Sequence, residues 1–198
     1  MSETKQKNAS AKKPFAIAAL DYVEMFVLAA VVVILLLTFC ARLCVVSGDS
    51  MKNTLFHGEK LVVSNLFYTP KSGDIIVLHQ TGAIYNEPIV KRVIAVGGQH
   101  VRIDYMNNKV YVSDDDTFTD DEIIDESGYA YFDKGGQWKE AASLTSPEDF
   151  AVPEGHIFVL GDNRNVSADS RTEEIGMVDA RRVLGKVLFR LSPFQSFS

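Results

Sequence analysis

Cysteine is almost missing from this chain of 198 residues, which contains only Cys40 and Cys44. Both lie in or at the end of one apolar segment, and two cysteines four residues apart on a helix are too widely separated for a relaxed disulfide. Since no cysteine follows Cys44, disulfides do not stabilise the rest of the chain. The two residues are therefore interpreted as apolar or lipid-facing side chains.

A basic excess is also missing, because 20 Lys and Arg residues stand against 26 Asp and Glu residues. The resulting net charge of −6 argues against a phosphate-neutralising surface. Metal-binding patterns are absent too: the acidic run "DDDTFTDDE" lacks the glycine and the spacing of a calcium loop, and the histidines are scattered. We therefore expect no cofactor, no metal and no nucleic-acid partner.

One long uncharged run is present at residues 25–41, "MFVLAAVVVILLLTFCA". As a helix it would cover about 25 Å, which nearly spans a bilayer. The run is longer than the apolar part of a typical secretory signal, and no A-x-A-like cleavage site follows it. We predict a retained transmembrane helix at 22–43, after a cytoplasmic tail at 1–21 that carries four lysines. Residues 44–198 would then form an extracytoplasmic domain of a single-pass cell-membrane protein.

Beyond this helix the sequence is typical of β-structure. Short runs rich in Val and Ile, bounded by Gly, Pro, Asn or Asp, predict strands within residues 60–68, 74–80, 88–98, 156–162 and 183–191. Residues 100–112 alternate apolar and polar side chains around Asn107 and Asn108, which predicts a hairpin. An acidic and aromatic stretch at about 113–154 departs from this pattern and is interpreted as a small inserted subdomain.

Ser50 is a candidate nucleophile in the turn "SGDSMKNTL" at 47–55. A Gly-containing turn that leads into apolar residues can present one hydroxyl on a fixed backbone. A serine nucleophile needs a base, and the usual partner is histidine. None of the four histidines has a recognisable acid-orienting neighbour; they are His57, His79, His100 and His156.

Lys91 offers a different base. Alternation along a strand puts its side chain on the same face as Ile89 and Val93, and apolar surroundings would lower the pKa of its amine. A lysine that reaches solvent from the end of a strand is the other interpretation of this segment.

A third polar element is the loop "VLGDNRNVSADSR" at 159–171, which Asp to Arg ion pairs can hold rigid.

Together these segments resemble the type I signal peptidases, the Ser/Lys dyad serine peptidases that include bacterial leader peptidase. The resemblance depends on four motifs that follow an N-terminal anchor: "GDSMKNTL" (48–55), "SGDIIVL" (72–78), "VKRVIAVGG" (90–98) and "GDNRNVSADSR" (161–171). It implies a mostly antiparallel β fold and the removal of signal peptides from exported preproteins. Membrane lipid is the second partner that it implies.

The resemblance also implies roles for individual residues. Ser50 would be the nucleophile and Lys91 the general base, and Ser167 would orient the lysine amine. Four charged residues would brace the site: Arg92, Asp162, Asp169 and Arg171.

Two positions depart from the family pattern. Asn53 stands where proline is usual, which predicts a less stiff turn because proline's fixed φ is missing. Gly48 stands where some members carry a serine that donates to the oxyanion, so backbone N–H groups, beginning with that of Ser50, must do more of the work.

The position of Ser50 suits such a reaction, because four residues of extended chain from Val46 span at most about 14 Å. Ser50 would thus lie near the lipid headgroups, where a signal peptide emerges.

We take Met51, Leu55 and Ile89 as candidate walls of the small pockets that would favour A-x-A sites. Two alternatives remain: a membrane-anchored β-domain that only binds, and a regulatory Ser/Lys peptidase.

Overall fold

The computed structural model describes residues 15–79, 87–132, 136–139 and 147–197, and within the first helix it describes side chains only for 19–35. The chain divides into two units, with the boundary between Phe39 and Cys40. Residues 1–14 of the predicted cytoplasmic tail lie outside the described part.

The first unit contains one helix, α1, at Phe15–Cys40. No Gly or Pro interrupts this segment, so nothing in its sequence breaks the helix before Cys40. The helix begins and ends earlier than the predicted span of 22–43. In the part of the chain that the structure describes, no helix combines the length and the apolar character needed to cross a membrane.

Cys44 lies beyond the end of the helix, so the two cysteines are not a pair on one helical face. Strand β1 begins at Arg42, directly after the helix ends, and Cys44 lies half-buried within it as a free thiol. The side chain of Cys40 lies outside the described residues.

The second unit is built from strands. They are β1 Arg42–Val45, β2 Lys60–Ser64, β3 Ile75–His79, β4 Pro88–Val96, β5 His100–Asp104, β6 Lys109–Ser113, β7 Glu148–Ala151, β8 His156–Leu160, β9 Val178–Asp179, β10 Val183–Leu191 and β11 Phe194–Ser196. The large sheet has the order β1-β2-β10-β3-β4-β8-β9, with β11 paired to β10, and the small sheet has the order β6-β5-β7. The strand pairs are antiparallel, which confirms the predicted mainly β fold.

Strands β3 and β4 lie inside the large sheet and are covered on both faces. Val77 and Val90 pack in one apolar cluster, together with Met51 and Leu55, whereas Ile76 and Val93 pack in another. Strands buried on both faces have continuous apolar sequences. This explains why "IIVL" and "VKRVIAV" were recognisable as strands.

The small sheet extends beyond the predicted insertion at about 113–154. The expected hairpin joins β5 to β6, and β7 returns to pair with β5 through His100 and Ala151. Trp138 packs in the apolar cluster that contains Ile103 of β5 and Phe158 of β8. The subdomain therefore begins at β5, because the hairpin supplies the apolar face on which the inserted segment packs.

Candidate active site

Ser50 lies in a tight turn after β1. The backbone N–H of Lys52 donates to the Asp49 carbonyl at 3.0 Å, and that of Leu55 donates to Met51 at 2.8 Å. Met51 and Leu55 are buried in the core, with 1% and 0% of their surface exposed. Since the residues after Ser50 are held by the core, the half-buried hydroxyl has a fixed backbone beneath it.

Lys91 lies near the middle of the large sheet with only 3% of its surface exposed. Its register partner on β3 is the buried Ile76, and Ile89 and Val93 pack in the same apolar cluster as Ile76. Burial lowers the pKa of the Lys91 amine to about 8. The negative charge of Asp169 opposes this shift, and Arg171 adds to it.

Ser50 and Lys91 line the same cavity, which has a volume of about 220 Å³. The other residues that line it are Ser47, Gly48, Asp49, Ile89, Val166 and Ala168. Among the described residues, no ion pair links Lys91 to a carboxylate, and no hydrogen bond joins its amine to the hydroxyl of Ser50 or Ser167. Catalytic hydrogen bonds often tighten only once substrate is bound, so this arrangement is compatible with a serine and its base.

The 161–171 segment, which we call the site loop, closes one side of this region. Asp169 accepts hydrogen bonds from the Gly161 N–H at 3.0 Å and from Arg171 Nε at 2.7 Å. Although burial raises the pKa of Asp169, the hydrogen bonds and charge of Arg171 hold it below its usual range. Asp169 is therefore an ionised group whose charge is matched by Arg171 and not by Lys91.

Gly161 brings the site loop into contact with the Ser50 turn. A Cβ atom at this position would lie 2.2 Å from Ser167 Oγ and 2.5 Å from the Ser50 carbonyl oxygen. The Asn163 N–H also donates to the Ser50 carbonyl, at 2.9 Å. Glycine is thus required at 161, because any side chain would push apart Ser50 and Ser167.

Asp162, which is also part of the site loop, bonds to β4 and to the Ser50 turn and so joins three elements. It accepts two hydrogen bonds from Arg92 of β4, at 2.8 and 2.7 Å, and another from the hydroxyl of Thr54 in the Ser50 turn. The Arg92 guanidinium lies 3.9 Å from the centre of the Tyr129 ring. This buried ion pair connects the Ser50 turn, the strand of Lys91 and the site loop.

Asn53 has a backbone conformation that proline cannot adopt. Its φ is +90°, whereas the proline ring holds φ near −65°. The Asn53 side-chain amide donates to the Tyr129 carbonyl at 3.3 Å. The asparagine therefore allows a turn conformation that excludes proline, and its side chain ties the turn to the inserted segment.

The backbone just before Ser50 also contains a residue with a positive φ. Gly48 has a φ of +84°, and its N–H donates to Nδ1 of His57 at 3.2 Å. The Ser50 N–H has no acceptor among the described residues, which leaves it available for an oxyanion. Ser47 lines the Ser50 cavity and a second cavity of about 230 Å³ that is also lined by Cys44, Val45, Val77, Glu87, Pro88 and Val90.

The three predicted pocket residues are placed differently. Ile89 lines the cavity that contains Ser50, but Met51 and Leu55 point into the core beneath it. Val166 and Ala168 of the site loop line the cavity instead. Sequence reasoning missed them because small or apolar residues in a polar loop carry no signal of their own.

The inserted segment contributes residues that no motif indicated. Glu126, Tyr129 and Trp138 all contact arginines of the site region: Glu126 pairs with Arg164, Tyr129 stacks on Arg92, and the Trp138 ring lies 4.7 Å from the Arg171 guanidinium carbon. These contacts join residues far apart in sequence, so periodicity and spacing could not reveal them. Among the described residues, no group of His, Cys, Asp and Glu is arranged to hold a metal ion.

Comparisons with known proteins agree with the motifs. The family model described as "Signal peptidase, peptidase S26" matches residues 19–192. The chain is 32% identical to signal peptidase IB of Staphylococcus aureus over 184 residues, which cover 90% of this chain and 92% of that protein. It is 31% identical to the probable signal peptidase I-1 of Synechocystis over 182 residues, covering 87% and 82%.

A solved structure is similar as well. The crystal structure of a signal peptidase I from Enterococcus faecalis is 25% identical and has a TM-score of 0.38, over 61% of this chain and 97% of the crystallised one.

Proposed function

The chain belongs to the S26 signal peptidases, and on this basis we propose that it cleaves N-terminal signal peptides from exported preproteins through Ser50 and Lys91. One observation carries the assignment of these two residues: a buried lysine, which forms no ion pair with any carboxylate that the structure describes, lines the same cavity as a serine on a rigid turn. With its pKa lowered to about 8, roughly a tenth of the Lys91 amine is neutral at pH 7, far more than for a lysine in water.

In the acylation step, the neutral amine of Lys91 takes the proton of the Ser50 hydroxyl while Oγ attacks the scissile carbonyl carbon. The carbonyl oxygen becomes an oxyanion, for which the Ser50 N–H is a backbone donor. The C–N bond then breaks, and the leaving amine takes the proton that Lys91 holds. The product is an ester between Ser50 and the signal peptide.

Deacylation repeats the same proton transfers with water. Lys91, neutral again, removes a proton from a water molecule that attacks the ester carbonyl. Ser50 leaves with that proton, and the signal peptide departs with a new carboxyl end. In this mechanism Ser167 orients the amine, and the ion pairs Arg92–Asp162 and Asp169–Arg171 hold the site loop and the turn in position.

In this proposal the two cavities receive side chains on the N-terminal side of the cleaved bond. The cavity of about 220 Å³ beside Ser50 receives the residue at the cleaved bond, with Ile89 as a wall. The second, of about 230 Å³, receives the side chain two residues before it. We expect small side chains at both positions, which is the A-x-A pattern that the resemblance to the signal peptidases implies.

Attachment to a cell membrane through α1 is part of the proposal, with the N-terminus cytoplasmic and the peptidase domain extracytoplasmic. Large apolar side chains of this helix between Leu20 and Leu35 are exposed, and lipid is the environment that would cover them. The four lysines that precede the helix favour a cytoplasmic N-terminus.

A preprotein cleavage assay in detergent tests the function. We expect the parent protein to cleave a preprotein with an alanine-containing signal sequence, and the Ser50→Ala variant to be inactive. An acylating probe should label Ser50 in the folded parent. Normal processing by Ser50→Ala would refute the nucleophile, and a folded parent that neither cleaves nor labels would favour a domain that only binds.

A further inference from the structure

The inserted segment packs against the site loop through backbone and side chains. The Tyr131 N–H donates to the Asp162 carbonyl at 2.7 Å, and the Arg164 N–H donates to the Tyr131 carbonyl at 2.9 Å. Beside this pairing, Glu126 and Arg164 form a buried ion pair. The segment therefore forms part of the structure that supports the loop.

The Glu126–Arg164 pair is bidentate. Arg164 Nη1 donates to Glu126 Oε2 at 2.6 Å, and Nη2 donates to Oε1. Arg164 has 0% of its surface exposed, and Glu126 has 9%. Two parallel hydrogen bonds between planar groups determine the orientation of the guanidinium as well as its place.

The remaining nitrogen of this guanidinium, Nε, bonds to the backbone at the start of the site loop. Arg164 Nε donates to the Gly161 carbonyl at 3.1 Å. Gly161 is the residue whose missing side chain leaves room for Ser167 Oγ and the Ser50 carbonyl. A short path thus leads from Glu126, through Arg164 and Gly161, to the two hydroxyl-bearing residues of the site.

Among the described residues, Glu126 is the one carboxylate that forms an ion pair with Arg164, and the two carboxylates of the site loop are already paired. Asp169 is bonded to Arg171, and Asp162 is bonded to Arg92. Without Glu126, Arg164 would be a buried cation with no counter-ion, and it would move toward water and away from Gly161. A loss of stability alone does not explain the pair, because apolar side chains often replace a buried ion pair without cost.

We propose that Glu126 is a positioning residue for the peptidase reaction, which it supports by orienting Arg164 and thereby the backbone of Gly161. The proposal rests on the proposed role of Ser50 as nucleophile. It assigns a catalytic purpose to the inserted segment, whose described residues contribute no side chain to the cavity beside Ser50.

The test compares kcat and KM for preprotein cleavage, with kcat expressed per site labelled by an acylating probe. We expect Glu126→Gln to lower kcat at least tenfold while KM stays within twofold. The matched control is Asp121→Asn, an exposed acidic residue of the same segment, which should match the parent. Counting labelled sites removes any effect of a smaller folded fraction.

A second variant, Glu126→Leu with Arg164→Met, decides the matter if Glu126→Gln does not fold. It fills the same space without a buried charge, so it should keep a thermal midpoint close to that of the parent, yet it lacks the donor to Gly161. A kcat at least tenfold below the parent would support positioning. A kcat per labelled site within twofold of the parent would overturn it.

These outcomes are separate from the fate of the proposed function. If the parent is not labelled at Ser50, or if Ser50→Ala still cleaves, the nucleophile assignment fails whatever Glu126 does. If the parent is labelled at Ser50 and Ser50→Ala is inactive, but the Glu126 variants keep the kcat of the parent, only the positioning role fails.

Discussion

Two lysines flank the same residue of the large sheet and have opposite surroundings. Lys91 of β4 and Lys186 of β10 are both register partners of Ile76 on β3. Lys186 is 24% exposed and pairs with Asp74, with 2.7 Å between Nζ and Oδ1. Lys91 is buried and has no carboxylate partner of this kind among the described residues.

The two lysines differ in whether the carboxylates near them are already paired with another cation. Asp74 has Tyr68 as a hydrogen-bond donor, at 2.8 Å, and takes Lys186 as its cation. Two carboxylates act on the pKa of Lys91 through their charges, Asp169 and Asp162, and each of them is paired with an arginine. A lysine becomes a base at neutral pH when burial disfavours its charge and the nearby anions are already paired.

The largest expected effect separates the two lysines by activity. Lys91→Met should lower kcat for preprotein cleavage by about 10³-fold, because a general base contributes 10²–10⁴-fold. Lys186→Met should remain within a few-fold of the parent. Steady-state cleavage by both variants checks this, and equal losses in the two would show that Lys91 has no special role.

The second effect is on stability and depends on pH. The folded-state pKa of Lys91 is about 8 and its ordinary value is 10.5, so between these values the folded protein binds fewer protons than the unfolded chain. The free energy of unfolding should therefore rise with pH across this window, by about 3 kcal/mol relative to Lys91→Met. Urea unfolding of both proteins at pH 7 and pH 10 measures the difference. Parallel behaviour of the two would mean that the lysine is not desolvated.

A third variant provides Lys91 with a nearby carboxylate, as Asp74 provides one for Lys186. Ala168 lines the cavity of Lys91, and Ala168→Asp would place a carboxylate there. An opposite charge should raise the pKa of the amine by about one unit, so the acidic limb of the kcat profile moves to higher pH. Activity at pH 7 should fall about tenfold and recover above pH 9. Ala168→Asn is the uncharged control, and a similar profile for both variants would exclude an electrostatic cause.

The smallest effect concerns the Lys186 ion pair. Because this pair is partly exposed and Asp74 keeps its bonds to Tyr68 and to the Lys71 N–H, Lys186→Met should reduce the free energy of unfolding by about 1 kcal/mol or less. Urea unfolding at low and high salt measures it. A loss of several kcal/mol would place Lys186 among the structurally essential buried charges.

The regular part of the fold could be predicted because its strands have at least five residues and a clear apolar or alternating pattern. Strands β2, β3, β4, β8 and β10 lie within the five predicted runs, and β5 and β6 form the expected hairpin. The short strands β1, β7, β9 and β11 were not predicted. They have two to four residues and form by pairing with strands already in place, so their own sequences carry little periodicity.

The candidate site divides in the same way. Ser50, Lys91 and the polar loop were recognisable from local motifs, but the direction of each side chain was not. Met51 and Leu55 follow Ser50 in sequence and point into the core, whereas Val166 and Ala168 come from more than one hundred residues away and line its cavity. Lining a cavity depends on the packing of separate elements, which adjacency in sequence does not reveal.

The sequence by itself determined the family, the mainly β class and the two residues that we propose for the chemistry, because these depend on local patterns and motifs. Only the tertiary structure decided that Lys91 is buried away from any counter-ion in the described part of the chain, that Asn53 takes a left-handed conformation, and that Glu126 reaches the site loop. The physical reason is that burial and charge pairing depend on every element that surrounds a group, and those elements come from distant parts of the chain.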